Sequence, residues 1–198
     1  MAASVAVSED GALIAQSYQR SGLTHSRTLM PMCRDLLENC GLTLGEMDVV
    51  AVAAGPGSFT GLRIGVATAK GLAWPGDKPC AGVSTLEAMA WPLAHLEGDL
   101  CAVMDARRHQ VYNARFQAEG GRLLRLCPDR AISIDELAAE LLSREKTQIL
   151  VGDGAELCYN ELTKRGLPVR LAPPHLRWQS APEMPSIATI INNRIRLF

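Results

Sequence analysis

An excess of charge of either sign is absent from this chain. Its 20 lysines and arginines stand against 21 aspartates and glutamates, for a formal net charge of −1. No global field draws it to a polyanion, so any contact with tRNA or DNA has to come from a local patch or through a partner. Long apolar runs are missing as well: nothing approaches the roughly 18 apolar residues that a membrane helix needs. The first residues have neither the basic flank nor the apolar core of a secretory signal, and the cytoplasm is the expected location. The six cysteines, at 33, 40, 80, 101, 127 and 158, include no C-x-x-C pair and mostly fall inside apolar runs, the pattern of reduced, buried thiols. The four histidines, at 25, 95, 109 and 175, have no partner at i+3 or i+4, which argues against a helix-borne metal site. There is no repeat of fixed period and no low-complexity tract.

What is present is an ordinary globular composition, 47% hydrophobic and 21% charged over 198 residues, enough for one large domain or two small ones. Ala3 to Val7 and Ala12 to Tyr18 are short apolar segments flanking Asp10-Gly11, a hairpin signal. From Ser26, taken as the cap, Leu29, Cys33, Leu36, Leu37 and Cys40 recur at helical spacing up to Gly41. Thr43 and Glu46 fit a capping box before a strand over Asp48 to Ala54. A helix from about Thr60 to Trp74, a strand over Cys80 to Val83 and a helix capped by Ser84 complete an α/β half. Leu96-Glu97-Gly98 marks the expected boundary, giving domains 1–97 and 98–198. Beyond it, Leu100 to Met104 and Val111 to Phe116 read as antiparallel strands around the polar turn 105–109. Ile134 to Leu142 reads as helix, Gln148 to Val151 as strand, and Gly152-Asp153-Gly154 as a turn into a helix near Ala155. Val169 to Leu171 is the last expected strand, and a terminal helix over Pro185 to Arg196 is placed so that it can pack back on the first half.

The run Gly55 to Gly71 carries the most information. An apolar strand that turns on Gly55-Pro56-Gly57 into a small-residue helix makes a corner of exposed backbone N–H groups, suited to an anion or to tight packing. The spacing fails both nucleotide fingerprints: Gly57 and Gly61 are one residue too close for a P-loop, Lys70 lies deep in the helix, and G-x-G-x-x-G ends here in Thr60. Gly61, Gly65 and Ala69 instead form a smooth stripe beside the ridge of Leu62 and Val66. Packing within its own domain and contact with another subunit both remain open for that stripe. Gly57 and Ser58 at the corner, Asp105 with Arg107, and Gly152 with Gly154 are the candidate phosphate or nucleotide contacts; for the last four, a solvated hairpin tip and a plain turn are the simpler readings. No nucleophile frame is present, since Gly57-Ser58-Phe59 lacks G-x-S-x-G.

With His25-Ser26 and Leu29-Met30-Pro31 before it, and Gly82 to Ala88, Asp105-Ala106-Arg107 and Val111-Tyr112 after it, this run closely resembles the TsaB (YeaZ-type) family over about residues 1–160. Those proteins are the dimerisation subunits of the bacterial tRNA N6-threonylcarbamoyladenosine complex. The resemblance implies an α/β, actin/hsp70/sugar-kinase-like fold duplicated in two lobes, and a role in modifying the adenosine beside the anticodon of tRNAs that read codons beginning with A. It implies no cofactor or metal held by this chain: ATP and metal belong to the partners, a catalytic threonylcarbamoyltransferase relative and an ATPase subunit, with tRNA reached through the complex and a homodimer formed when the chain is alone. On this reading the chain is no enzyme by itself. The pairing face draws on Gly61, Leu62, Arg63, Gly65, Val66 and Ala69, with Met32 from the preceding helix.

The catalytic relative carries two metal-binding histidines where this chain has Thr85 and Met89, and neither is a fit ligand for a hard, substrate-polarising metal. Active members of the superfamily also begin with a strand ending in Asp, an element that should already have passed at Met1-Ala2-Ala3-Ser4, so the expectation is either a truncated or misassigned start or a first lobe lacking its first strand, the second of which would expose a sheet edge, with no closing strand at the C-terminus. The competing reading is an autonomous ATP-dependent phosphotransferase, for which Asp105 is the one well-placed acid. A peptidase, the third reading, is opposed by the lack of a nucleophile triad and of a metal-ligand pair.

Overall fold

The computed structural model describes residues 3–144, 146–177, 196 and 197. They form β1 (Ala3–Glu9), β2 (Ala12–Gln19), α1 (His25–Asn39), β3 (Val49–Gly55), α2 (Phe59–Ala73), β4 (Cys80–Ser84), α3 (Thr85–Ala90), β5 (Gly98–Arg107), β6 (Gln110–Glu119), β7 (Arg122–Arg125), β8 (Arg130–Ser133), α4 (Ile134–Leu142), β9 (Gln148–Val151), α5 (Ala155–Lys164), β10 (Val169–Leu171) and β11 (Arg196–Leu197). Two compact units result, residues 1–84 with 180–198 and residues 85–179. The division falls at Ser84/Thr85 rather than at the expected 97/98, because α3 buries Leu86, Met89 and Ala90 with residues of β5 and β6.

In the first unit the sheet runs β2-β1-β11-β3-β4. The β1–β2 hairpin turns on Asp10 and Gly11, both at positive φ (50° and 82°), the backbone that an Asp-Gly hairpin favours. β3 and β4 are parallel, as a strand–helix–strand crossover requires, and α2 is the crossover helix. Thr24, not Ser26, stands at the N-cap of α1. The capping box forms around the short 3₁₀ turn Leu44–Glu46: the Thr43 N–H donates to Glu46 Oε2 at 2.7 Å and its hydroxyl at 2.8 Å, which lowers the pKa of that carboxyl. Val5 and Val7 of β1 pack with Met32, Cys33, Leu36 and Leu37 of α1 and with Met47. β1 is no edge strand: β11 lies between it and β3, antiparallel to the first (Val7 opposite Leu197) and parallel to the second (Leu197 beside Val50). The exposed edge and the missing closing strand expected there are thus not found; β2 and β4 are the edges. Most of the expected terminal helix lies outside the described residues, and Arg196, its last residue, is in β11.

The second unit carries the order β10-β9-β5-β6-β7, with β8 also paired to β6. Leu100, Cys101, Ala102 and Val103 of β5 are all fully buried because both faces of the sheet are covered. On one face Cys101, Val103 and Val111 meet Leu137 and Leu141 of α4 and Cys158 and Leu162 of α5. On the other, Leu100, Ala102, Ala114 and Phe116 meet Leu86 and Met89 of α3. Burial pushes the Cys101 and Cys158 thiols up to about 12, so both stay neutral packing groups. Cys80, by contrast, is exposed, and Cys40 and Cys127 are half-buried, so the expected pattern of buried thiols holds for Cys33, Cys101 and Cys158. β7 and β8 were not expected; Gly120-Gly121, both at positive φ (57° and 74°), is the two-residue hairpin signal for the first of them.

Phe116 is fully buried and its ring also carries the Arg125 guanidinium at 4.8 Å. Phe116→Ala is expected to destabilise the chain by about 3–5 kcal/mol, read from urea unfolding followed by circular dichroism.

Candidate functional site

The sequence singles out two places, one in each unit. In the first, β3 ends at the glycine corner and α2 begins at once. Ser58 is the N-cap, and its hydroxyl accepts the Gly61 N–H at 3.5 Å. Leu62 lies over the corner: a Cβ placed on Gly55 or Gly57 would meet its side chain at 3.5 and 3.6 Å. With that hydroxyl engaged and an apolar side chain against both glycines, Gly57 and Ser58 are arranged for close packing, and nothing in their geometry singles out a phosphate.

The small-residue stripe faces inward. A Cβ on Gly61 would touch the His25 ring at 3.5 Å, one on Gly65 would touch Val52 Cγ2 at 3.5 Å, and Ala69 is 5% exposed in a cluster with Val50 and Ala73. Met32 is 3% exposed in the core under α1. Met32 and Ala69 therefore cannot present side chains to a partner, and Gly61 and Gly65 serve the approach of α2 to its own unit. Leu62 and Val66 are half-buried, and Arg63 alone among the expected pairing residues is exposed. It stacks over Phe59 at 3.9 Å, and Phe59 is itself 68% exposed. Trp74, just past the helix, is 86% exposed. Residues 59, 63, 70 and 74 repeat at helical spacing on the side opposite 61, 65 and 69, a periodicity present in the sequence but masked by the stronger glycine pattern.

In the second unit β5 and β9 run parallel; β9 ends at Val151, beside Ala102, while β5 continues to Arg107, and the loop after β9 turns into α5. Gly152 has φ 112°, and a Cβ there would lie 2.1 Å from the Val103 carbonyl oxygen. Gly154 also passes close, with Asp105 N and Met104 C at 3.0 Å from its would-be Cβ. The N–H groups of both glycines are bonded, Gly152 to Arg177 O at 3.1 Å and Gly154 to Val103 O at 3.2 Å. Asp153 Oδ1 accepts the Asp105 N–H at 3.2 Å, and Asp105 Oδ1 accepts the Arg107 N–H at 2.7 Å. Partial loss of water around the Asp153 carboxyl raises its pKa, and the Asp105 charge beside it adds to the rise. The structure does bring Asp105, Arg107, Gly152 and Gly154 to one corner, but two adjoining carboxylates and spent N–H groups favour a self-bonded turn over an anion site. The Asp105 carboxylate that the phosphotransferase reading needs is held by its own turn. Arg107, Arg108 and His109 all have positive φ (65°, 53° and 58°) at the exposed hairpin tip.

Thr85 and Met89 are buried in the second unit's own core, and the Met89 methyl lies 3.2 Å from where a Gly152 Cβ would stand. Among the described residues no three His, Cys, Asp or Glu side chains gather as a metal site would require. No described helix is long and apolar enough to cross a membrane.

Two outcomes follow from this corner. Gly152→Ala is expected to cost more than about 3 kcal/mol through the clash with Val103 O, whereas Gly11→Ala, at φ 82° with open space around it, loses only about 1–2 kcal/mol; chemical denaturation of the two variants checks the contrast. The raised pKa of Asp153 opposes folding once the carboxyl ionises, so stability falls as pH rises through the folded-state value. Asp153→Asn, which keeps the acceptor oxygen, should melt above the parent chain at pH 7 and level with it below the ordinary value of 3.8, as followed by melting temperature against pH.

Residues 19–159 match the family model described as TsaD, tRNA N6-adenosine threonylcarbamoyltransferase. The chain is 33% identical to the tRNA threonylcarbamoyladenosine biosynthesis protein TsaB of Bacillus subtilis over 77% of its own length and 67% of the relative's. It is 38% identical to the Escherichia coli protein of the same name over 60% of its own length, which spans about half, 52%, of that relative. The solved structure of YeaZ from Pseudomonas aeruginosa superposes with a TM-score of 0.77 at 28% identity, covering 96% of this chain and 86% of the other. A second solved Pseudomonas aeruginosa structure, an uncharacterized protein with similarity to peptidase YeaZ, gives 0.79 at 26% identity over the same shares. The mixed α/β fold and these matches together place the chain in the TsaD family, as a member of its TsaB/YeaZ type.

Proposed function

We propose that the chain acts in tRNA threonylcarbamoyladenosine biosynthesis as a non-catalytic pairing subunit. It serves the modification of the adenosine next to the anticodon in tRNAs reading codons that begin with A. The observation that carries the pairing role is the exposed aromatic ridge of α2: Phe59 and Trp74 are 68% and 86% exposed, and Arg63 lies across the first of them. Exposed aromatic and arginine side chains are the groups that contribute most when buried between proteins. Met30, on α1 of the same unit, is 48% exposed and adds apolar surface. The relatives named for this pathway support the wider role.

The lack of transfer chemistry in this subunit is supported by Thr85 and Met89, which pack in the core at the positions where the resemblance puts metal-binding histidines. Threonylcarbamoyl transfer, its metal and the ATP then belong to the catalytic relative and an ATPase subunit, and tRNA is met through the assembly. Without those partners, the same ridge pairs two copies of this chain. The cytoplasm, where tRNA is modified, is the corresponding location.

Phe59→Glu combined with Trp74→Glu puts charge at both ends of the ridge without touching the core. Co-purification of the catalytic relative is expected to fall by about tenfold or more, with a matching drop in N6-threonylcarbamoyladenosine by nucleoside mass spectrometry and no change in melting temperature. Normal complex recovery with normal modified adenosine would remove the ridge from the pairing role. Gly65→Leu is the less informative variant, because its side chain would press on Val52 inside the unit.

A further inference from the structure

One edge of the first unit's sheet is left unguarded. Among the described residues β2 is paired on one side only, with β1, and its other side ends the sheet. It is eight residues long, from Ala12 to Gln19, and contains no charged residue and no proline. Natural edge strands are commonly kept short, charged or broken by proline, because a free row of N–H and C=O groups takes up another strand. The edges of the second unit follow that rule: β7 and β10 are four and three residues long, and both contain arginine. β2 instead carries Leu13, Ile14 and Tyr18 at 46%, 43% and 43% exposure.

A groove lies beside this edge. β2 and α1 line a cavity of about 340 Å³, within the size range of ligand clefts. Ala15 of β2 packs with the cluster under α1, so Ser17 and Gln19, which alternate with it along the strand, are on the side of the sheet that α1 covers, and both line the groove. Met32 and Leu36 of α1, 3% and 7% exposed, are its apolar floor. Its charged residues are Arg27 and Asp35. Asp35 is engaged, since Arg34 donates to its Oδ1 from Nε at 3.0 Å and from Nη2 at 2.8 Å. No described carboxylate pairs with Arg27, so the cation of the groove is unmatched. From Arg27 to Asp35 the lining follows α1 for about 12 Å, the reach of about four extended residues.

We infer that the free edge of β2 and this groove together dock an extended segment of another protein. The segment adds to the sheet beside β2, its backbone bonded to the unpaired N–H and C=O groups of that strand. Every second side chain then points to the α1 side, where an apolar one covers Met32 and Leu36 and a carboxylate meets Arg27. The long uncharged strand suits backbone pairing, the length of the groove suits a short extended stretch, and the unmatched Arg27 selects an acid. A second copy of this chain would offer the edge another β2, which has no acid between Ala12 and Gln19 to set on Arg27. The site is separate from the exposed side of α2 and does not depend on it.

The test uses the full isotope-labelled chain and two capped hexapeptides of alternating valine and threonine, one with glutamate at the third position and the other with lysine there. The glutamate peptide is expected to shift the amide signals of Ser17, Gln19 and Arg27 in nuclear magnetic resonance spectra and to bind about threefold or more tighter than the lysine peptide. Arg27→Glu, at an exposed position, should invert that preference. No shift at β2, or a lysine peptide bound as tightly as the glutamate one, overturns the proposal, and that comparison needs no variant. Shifts at β2 that grow with the concentration of the chain itself, and that neither peptide displaces, would assign the edge to a second copy and overturn it as well.

Discussion

Strands covered by protein on both sides are the constraint from which the rest of this molecule follows. In the second unit, four successive residues of β5, Leu100 to Val103, have no exposed surface, so each face must be closed by its own layer. α3 supplies one layer, α4 and α5 the other. Burial of that many apolar side chains, each contributing about 1.5–3 kcal/mol, leaves no freedom in register. It also brings the chain leaving β9 hard against the middle of β5, where only a glycine at 152 fits under the Val103 carbonyl.

The same demand explains the glycine-rich helix of the first unit. α2 has to lie close to β3, and the residues facing the strand are Gly65 and Ala69, with Gly61 against His25 of α1. Small side chains on one side of a helix leave its large ones on the other. Phe59, Arg63 and Trp74 are therefore outward because the inner side has no room for them. A requirement of packing thus generates the surface through which the chain is proposed to pair.

Charge is handled differently in two of the places where it is partly buried. The Asp105–Asp153 corner satisfies its carboxylates with backbone N–H groups, and the loss of water around Asp153, with repulsion from Asp105 added, appears as a raised Asp153 pKa. The Arg115–Arg130–Glu140 group instead spreads one carboxylate over two guanidinium groups, which leaves Arg115 short of acceptors. The first is closed within its own bonds, whereas the second leaves the Arg115 Nε and Nη1 buried without a hydrogen-bond partner.

Local chemistry was readable wherever the signal lay within a few residues. Asp10-Gly11 specified its hairpin, Thr43 and Glu46 their capping box, and the spacing of Ile134 to Leu142 its helix, because turn dihedrals, caps and helical periodicity are set by neighbours in the chain. The family, too, was legible from the glycine run and the motifs around it. What faces what was not. Gly61, Gly65 and Ala69 read equally well as an outer or an inner stripe, Met32 read as surface, and Thr85 with α3 was assigned to the wrong half. Ser17 and Asp35 line one groove with nothing in their spacing to join them. Those facts depend on which sheet a helix covers and which strands lie side by side, contacts between residues distant in the chain, and so only the tertiary structure decided them.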